Sequence, residues 1–252
     1  MIPFFRKIRK KMADDNRPLK YARYAIGEIV LVVIGILIAL QINTWNQDRI
    51  KSAEELNILK AMKIGLEKDL SDLNFNASSI SSSMSSGKEI IYALENNLPY
   101  EDSLAYHFGN FMFPVMFLNS TSAFETLKSK GIDLISNDSL RDQIIRVYDS
   151  GYTFFIKNEK IILDEGERGL KHIFPTRFQE SWVYDLEKEN YGRGLVPLDF
   201  EALKSDQEFI YYIKSYKNRL NILLNFHYRL RLLKSVQSLI TSLENEIQVM
   251  EE

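Results

Sequence analysis

The stretch that decides the reading is AIGEIVLVVIGILIALQINTW, residues 25–45. From Ile29 to Leu40 every residue is apolar or glycine. Wound as a helix at ~1.5 Å per residue, Ala25–Trp45 measures about 31 Å, which matches a hydrocarbon core of roughly 30 Å. A surface helix of a globular protein keeps a polar face, and this run has none, so it reads as a membrane span and not as a buried core helix. Trp45 stands at one end, and Arg23 and Tyr24 stand at the other, where interfacial anchors belong. No small-x-small cleavage site follows, and the run is longer than the apolar region of a signal peptide. The expectation is an uncleaved signal anchor over residues 24–45. No later stretch qualifies: FMFPVMFL, residues 111–118, is too short and contains Pro114.

The charge on either side orients the span. Residues 1–23 carry a net +6 and the other 229 carry −8, an asymmetry that the whole-chain pI of about 6.0 hides. By the positive-inside rule, the basic tail 1–23 is expected in the cytoplasm and residues 46–252 outside it. Within the tail, Phe4, Phe5, Ile8 and Met12 share one helical side, with Arg6, Lys7, Arg9, Lys10 and Lys11 on the rest. That arrangement suits contact with anionic lipid headgroups. No second basic patch accompanies it, so nucleic acid is not an expected partner.

Past the span the chain reads as all-α. Apolar residues recur every three or four positions from Leu56 through Leu59, Met62, Leu66, Leu70 and Leu73, preceded by Ile50. Ile80, Met84, Ile91 and Leu94 keep helical spacing through the serine-rich stretch 78–87, and Pro99 closes the unit. Ser122 with Glu125 fits a capping box, with Gly131 as the stop. Ser136-Asn137-Asp138 starts a helix that reaches about Leu170. Residues 171–203, with Pro175, Gly192, Gly194 and Pro197, read as irregular. A last helix starts near Ser205-Asp206. Its stripe is Phe209, Ile213, Tyr216, Leu220, Leu223, His227, Leu230, Leu233, Val236, Ile240, Leu243 and Ile247. Long helices with short connections predict an up-down bundle, with the first and last helices antiparallel. The fold class is therefore one N-terminal transmembrane helix followed by an extracytoplasmic helical bundle.

Composition excludes several chemistries. There is no cysteine, which removes disulfides, thiolate zinc sites and a cysteine nucleophile. The three histidines, His107, His172 and His227, have no HExxH spacing, and no P-loop, GxGxxG or G-x-S-x-G occurs. His227 falls on the last stripe and reads as a core histidine. Asp164-Glu-Gly-Glu167 lacks calcium-loop spacing and reads as solvated helix. The aromatic cluster Phe108–Phe124 reads as core. No catalytic residue, cofactor site or metal site is expected, and the protein reads as a non-enzyme.

Functional weight falls on the span. Gly27, Gly35 and Ala39 lie on one helical face, with Leu31 between the first two, and Gly35-Ile-Leu-Ile-Ala39 is a small-xxx-small pattern that lets another backbone approach. Glu28 is an ionisable residue inside the apolar run, next to that face. It either snorkels to headgroup water, joins a partner helix or carries protons. Gly27, Glu28, Gly35 and Ala39 are thus candidates for a helix–helix interface with a protein partner or a second copy, in addition to the lipid bilayer.

The blocks FFRKIRKK (4–11), YAIGEIVLVVIGILIALQIN (24–43) and Trp45-Asn46 resemble a bacterial family of unknown function. TSAFETLKSKG (121–131) is similar to a second signature of that family. The resemblance implies single-pass inner-membrane proteins of Bacteroidota, and it implies no catalytic residue. Three functions follow as expectations. The first is a membrane-anchored scaffold or accessory subunit of an envelope complex. The second is a ligand-sensing bundle that signals through a partner, favoured by a polar pocket between helices. The third is a proton-motor-like subunit using Glu28.

Overall fold

The computed structural model describes the backbone of residues 18–180, 183–185, 190–192 and 194–252, and the side chains of 25–180 and 194–252. The chain divides into two compact units, Met1–Glu54 and Glu55–Glu252. Helix α1, Pro18–Glu95, contributes to both.

In the first unit, the apolar residues of α1 from Ile26 to Trp45 are exposed, Leu31 at 73%. The chain therefore does not bury this run in a core of its own, and the helix is long and apolar enough to cross a membrane.

In the second unit α1 buries one face. Leu59, Met62, Leu66, Leu73, Ile80, Ile90 and Leu94 are all interior. The serine-rich stretch stays helical because α2, Asp102–Phe111, lies against it. Asn110 donates through Nδ2 to Ser82 Oγ (3.1 Å) and Ser86 Oγ (2.9 Å), and Ser83 Oγ donates to the Asn110 carbonyl (2.9 Å). Small side chains permit that approach: a Cβ at Gly87 would come within 2.5 Å of the Phe111 ring. Helix α1 stops at Asn97, whose φ of 53° places it in the left-handed region. The Leu98 N–H returns to the Ala93 carbonyl at 3.0 Å, a Schellman closure.

After α2 an extended strap, residues 113–121, leads into α3, Ser122–Lys130. The expected capping box does not form. Thr121 takes the N-cap position, Ser122 is the first helical residue, and no side chain caps the end. Gly131 does end α3, at φ 104°. Next comes α4, Asp138–Ile145, capped by Asn137 Oδ1 accepting from Leu140 N (3.1 Å). It passes through a π-helical segment, Arg146–Gly151, into α5, Tyr152–His172. The region expected to be irregular holds a short antiparallel ribbon, β1 Val183–Asp185 with β2 Asn190–Gly192, and the one-turn helix α6, Phe200–Leu203. Helix α7, Gln207–Ile222, is capped by Asp206 and continues through a second π-helical segment, Leu223–Leu233, into α8, Lys234–Glu251. The fold is all-α.

Pairings fix the directions. Lys60–Glu251 (2.6 Å), Lys63–Glu244 (2.9 Å) and Lys214–Glu95 (2.5 Å) set α1 antiparallel to α7–α8, as expected. Helices α5 and α7 are also antiparallel: a Cβ at Gly169 would clash with the Tyr212 ring and one at Gly166 would lie 2.7 Å from the Tyr216 hydroxyl. However, α1 and α4–α5 run parallel, because Glu55 meets Ser136 and Asp69 meets Tyr152. The up-down expectation is corrected here. The segment 96–137, with α2, the strap and α3, carries the chain back along α1 before α4 begins. The core it closes is aromatic: Phe117, Tyr152, Phe155 and Tyr228 form one chain of edge contacts, and in a second group Phe174 stacks on Phe178 while Phe108 and Phe209 meet them edge-on.

Candidate functional site

Three features of the described residues could carry function. The first is the apolar helix of the first unit. At Gly27 and Gly35 an added Cβ would meet nothing within 4 Å, so no packing inside the chain requires glycine at either position. Ala39 is exposed and Glu28 is partly buried. The basic tail residues Arg6, Lys7, Arg9, Lys10 and Lys11 lie outside the described residues.

The second feature is a groove of about 790 Å³ in the second unit, lined by residues of both π-helical segments and of the helices that flank them. A π turn takes an extra residue, so it rotates the side chains that follow relative to an α-helical stripe. The second segment therefore buries Leu223, Leu224, His227, Tyr228 and Leu232, while Leu230, expected on the core stripe, is 57% exposed and lines the groove. The apolar wall is Val147, Phe154, Phe155 and Leu230. Arg146, Arg231 and Lys234 add positive charge, and Ser150, Ser235, Ser238 and Gln143 add hydrogen-bonding groups. No carboxylate lines it among the described residues. Arg231 is held in place by two rings, its guanidinium 4.4 Å from the Phe226 centroid and 5.4 Å from that of Phe154. His227 is 8% exposed and its Nδ1 has no hydrogen-bond partner. Burial, and secondarily Arg231, hold the imidazole below its ordinary pKa.

The third feature is a set of carboxylates that holds the strap, Asp69 and Glu159 buried and Asp72 half-buried. Ser120 N donates to Asp69 Oδ1 (2.7 Å), Leu118 N to Asp72 Oδ2 (3.1 Å), and Phe117 N to Glu159 Oε2 (3.1 Å). Tyr152 Oη donates to Asp69 Oδ2 and Tyr228 Oη to Glu159 Oε1, both at 2.6 Å. Glu55 accepts from Ser136 N (2.7 Å) in the same manner. Burial raises the carboxyl pKa of Asp69 and Glu159, against the lowering by these hydrogen bonds, and the charge of Asp72 adds to the rise. The strap has no ladder to satisfy its amides, and these oxygens supply the acceptors. Among the described residues, no group of three or more His, Asp or Glu side chains is arranged to hold a metal ion.

The sequence reading assigned the span and His227 correctly to apolar helix and core. It missed the groove, because the π segments break the 3.6-residue register that a stripe assumes. It also missed the clamp, although a signal was present. Asp69 follows Leu66 by three residues and Glu159 follows Phe155 by four, so both acids stand at core positions. Asp164 and Glu167 are solvated as expected, paired on the helix surface with Lys160 and Lys171.

No curated protein and no solved structure matches the chain. The profile of a family of unknown function, DUF6090, matches residues 28–167. That match takes in most of the apolar run, the carboxylate clamp, Arg146 and Phe154, and it ends before His227 and Arg231. Because it covers more than half of the sequence, the chain belongs to this family of unknown function, DUF6090.

Proposed function

We propose that this protein is a non-enzymatic, membrane-anchored helical scaffold or accessory subunit of an envelope complex. Residues 24–45 span the bacterial inner membrane, 1–23 face the cytoplasm and 46–252 form a periplasmic domain. The observation that carries this reading is the exposed apolar helix whose Gly27 and Gly35 touch nothing in their own chain. In lipid, small residues at such positions let a second helix approach closely. Arg6, Lys7, Arg9, Lys10 and Lys11 contribute contact with anionic headgroups, at about 1 kcal/mol per basic residue near the surface. Glu28 either snorkels, hydrogen-bonds across the helix pair or serves a proton-coupled partner.

The test is association through the span. Replacing Gly35 and Ala39 with Leu should lower the signal in a membrane two-hybrid assay about tenfold. Purification from native membranes should return a stoichiometric partner or a homo-oligomer. An unchanged signal would remove the Gly35/Ala39 face from the account. A second reading, a ligand-sensing bundle signalling through a partner, draws on the groove between the π-helical segments.

A further inference from the structure

The groove of the second unit sits in a part of the chain that is acidic overall, since residues 24–252 carry −8. Its lining is nonetheless Arg146, Arg231 and Lys234 with no carboxylate, and none of the three makes a salt bridge among the described residues. The acids nearest in sequence, Asp142 and Asp149, do not line it. Two arginines left unpaired over an apolar floor are set for an anion supplied from outside.

We propose that this groove binds an anionic amphiphile, a single acyl chain ending in a carboxylate or phosphate. Phe154, Phe155 and Leu230 take the chain, and Arg146 and Arg231 take the head. Four observations converge on that chemistry. Leu230 and Phe154 are large apolar side chains left half-exposed within a groove of about 790 Å³, a size in the range of small-molecule sites. The Arg231 guanidinium lies over the Phe226 and Phe154 rings, which places it at the edge of the apolar wall. His227 lines the same groove, with its Nδ1 buried and unpartnered behind the surface. Each π-helical segment contributes to the lining, with Arg146 opening one segment and His227 and Arg231 inside the other; such distortions recur at functional sites. The lining supplies cations, amide and hydroxyl donors and an apolar floor, and no anion that would repel a carboxylate or phosphate. This inference stands independently of the anchor reading.

The experiment uses the full chain in phosphatidylcholine nanodiscs, with empty discs as reference. The probe is dodecanoic acid bearing a diazirine near the chain end, and labelled peptides are mapped by mass spectrometry. Label is expected in the peptides covering 143–155 and 227–238. Dodecanoate or dodecyl phosphate should compete at least tenfold better than dodecanol, and which of the two competes better assigns the head. Arg146→Gln with Arg231→Gln, and separately Leu230→Glu, should cut this label about tenfold while label on the span is unchanged. All three positions are solvent-exposed, so an unaltered circular dichroism melt is expected and keeps the comparison valid. Label confined to the span, equal competition by dodecanol or by inorganic phosphate, or undiminished label in both variants would each overturn the proposal. Failure of the chain to enter the discs at all would count against the anchor and not against the groove.

Discussion

Asp69 and Glu159 show how single residues carry this fold. Each is buried, each accepts a tyrosine hydroxyl, and each accepts at least one strap amide. Removing the acceptor leaves two buried donors without a partner. Asp69→Ala should therefore lower the unfolding free energy by roughly 2–4 kcal/mol in urea titrations. Asp69→Asn keeps an acceptor for Ser120 and can donate to Tyr152, so it should stay within about 1 kcal/mol of the parent at neutral pH. Burial raises both carboxyl pKa values in the folded state. The sign follows: their contribution is fully present below the unfolded value of about 4 and is lost as pH rises through the folded value. Asp206, held low chiefly by its hydrogen bond from Arg177, has the opposite sign and loses its contribution on acidification. Comparing the parent with Asp69→Asn/Glu159→Gln isolates the two buried acids. The double variant should gain stability relative to the parent as pH is raised from about 4 to 7, and a difference independent of pH would contradict the burial account.

At the level of elements, much was legible in the sequence. The caps at Asn137 and Asp206 were readable, because a side-chain oxygen followed by an apolar run at helical spacing has few other uses. The box at Ser122 misled by one residue, since Thr121 can occupy the same position and the chain enters α3 there. The π segments were illegible. No residue type marks them, and they follow from tertiary packing, which swings Leu230 out to solvent and Tyr228 into the core. The parallel run of α1 and α4–α5 was illegible too, because the strap's path depends on carboxylates scattered over 55–159 and not on loop length. Close helix contacts give the sharpest element-scale prediction. Gly169→Leu forces a side chain into the Tyr212 ring and should cost about 2–3 kcal/mol in a denaturant titration. Gly35→Leu meets nothing in its own chain and should leave the unfolding of the second unit unchanged.

At the level of the whole molecule, two asymmetries dominate. Charge is +6 over the first 23 residues and −8 over the rest, and the long exposed apolar run lies immediately after the switch. Together they make the anchor and its direction the central claim. The absence of cysteine makes that claim directly testable, because single-cysteine variants have no background thiol. Lys10→Cys, Leu37→Cys and Ser81→Cys place one thiol in the tail, the apolar run and the exposed face of α1 in the second unit. The measurement is labelling with a membrane-impermeant maleimide in intact spheroplasts and again after lysis. The account predicts that Ser81→Cys labels in both, that Lys10→Cys labels only after lysis, and that Leu37→Cys labels in neither. Labelling of Lys10→Cys from outside, or of Leu37→Cys in intact cells, would contradict it.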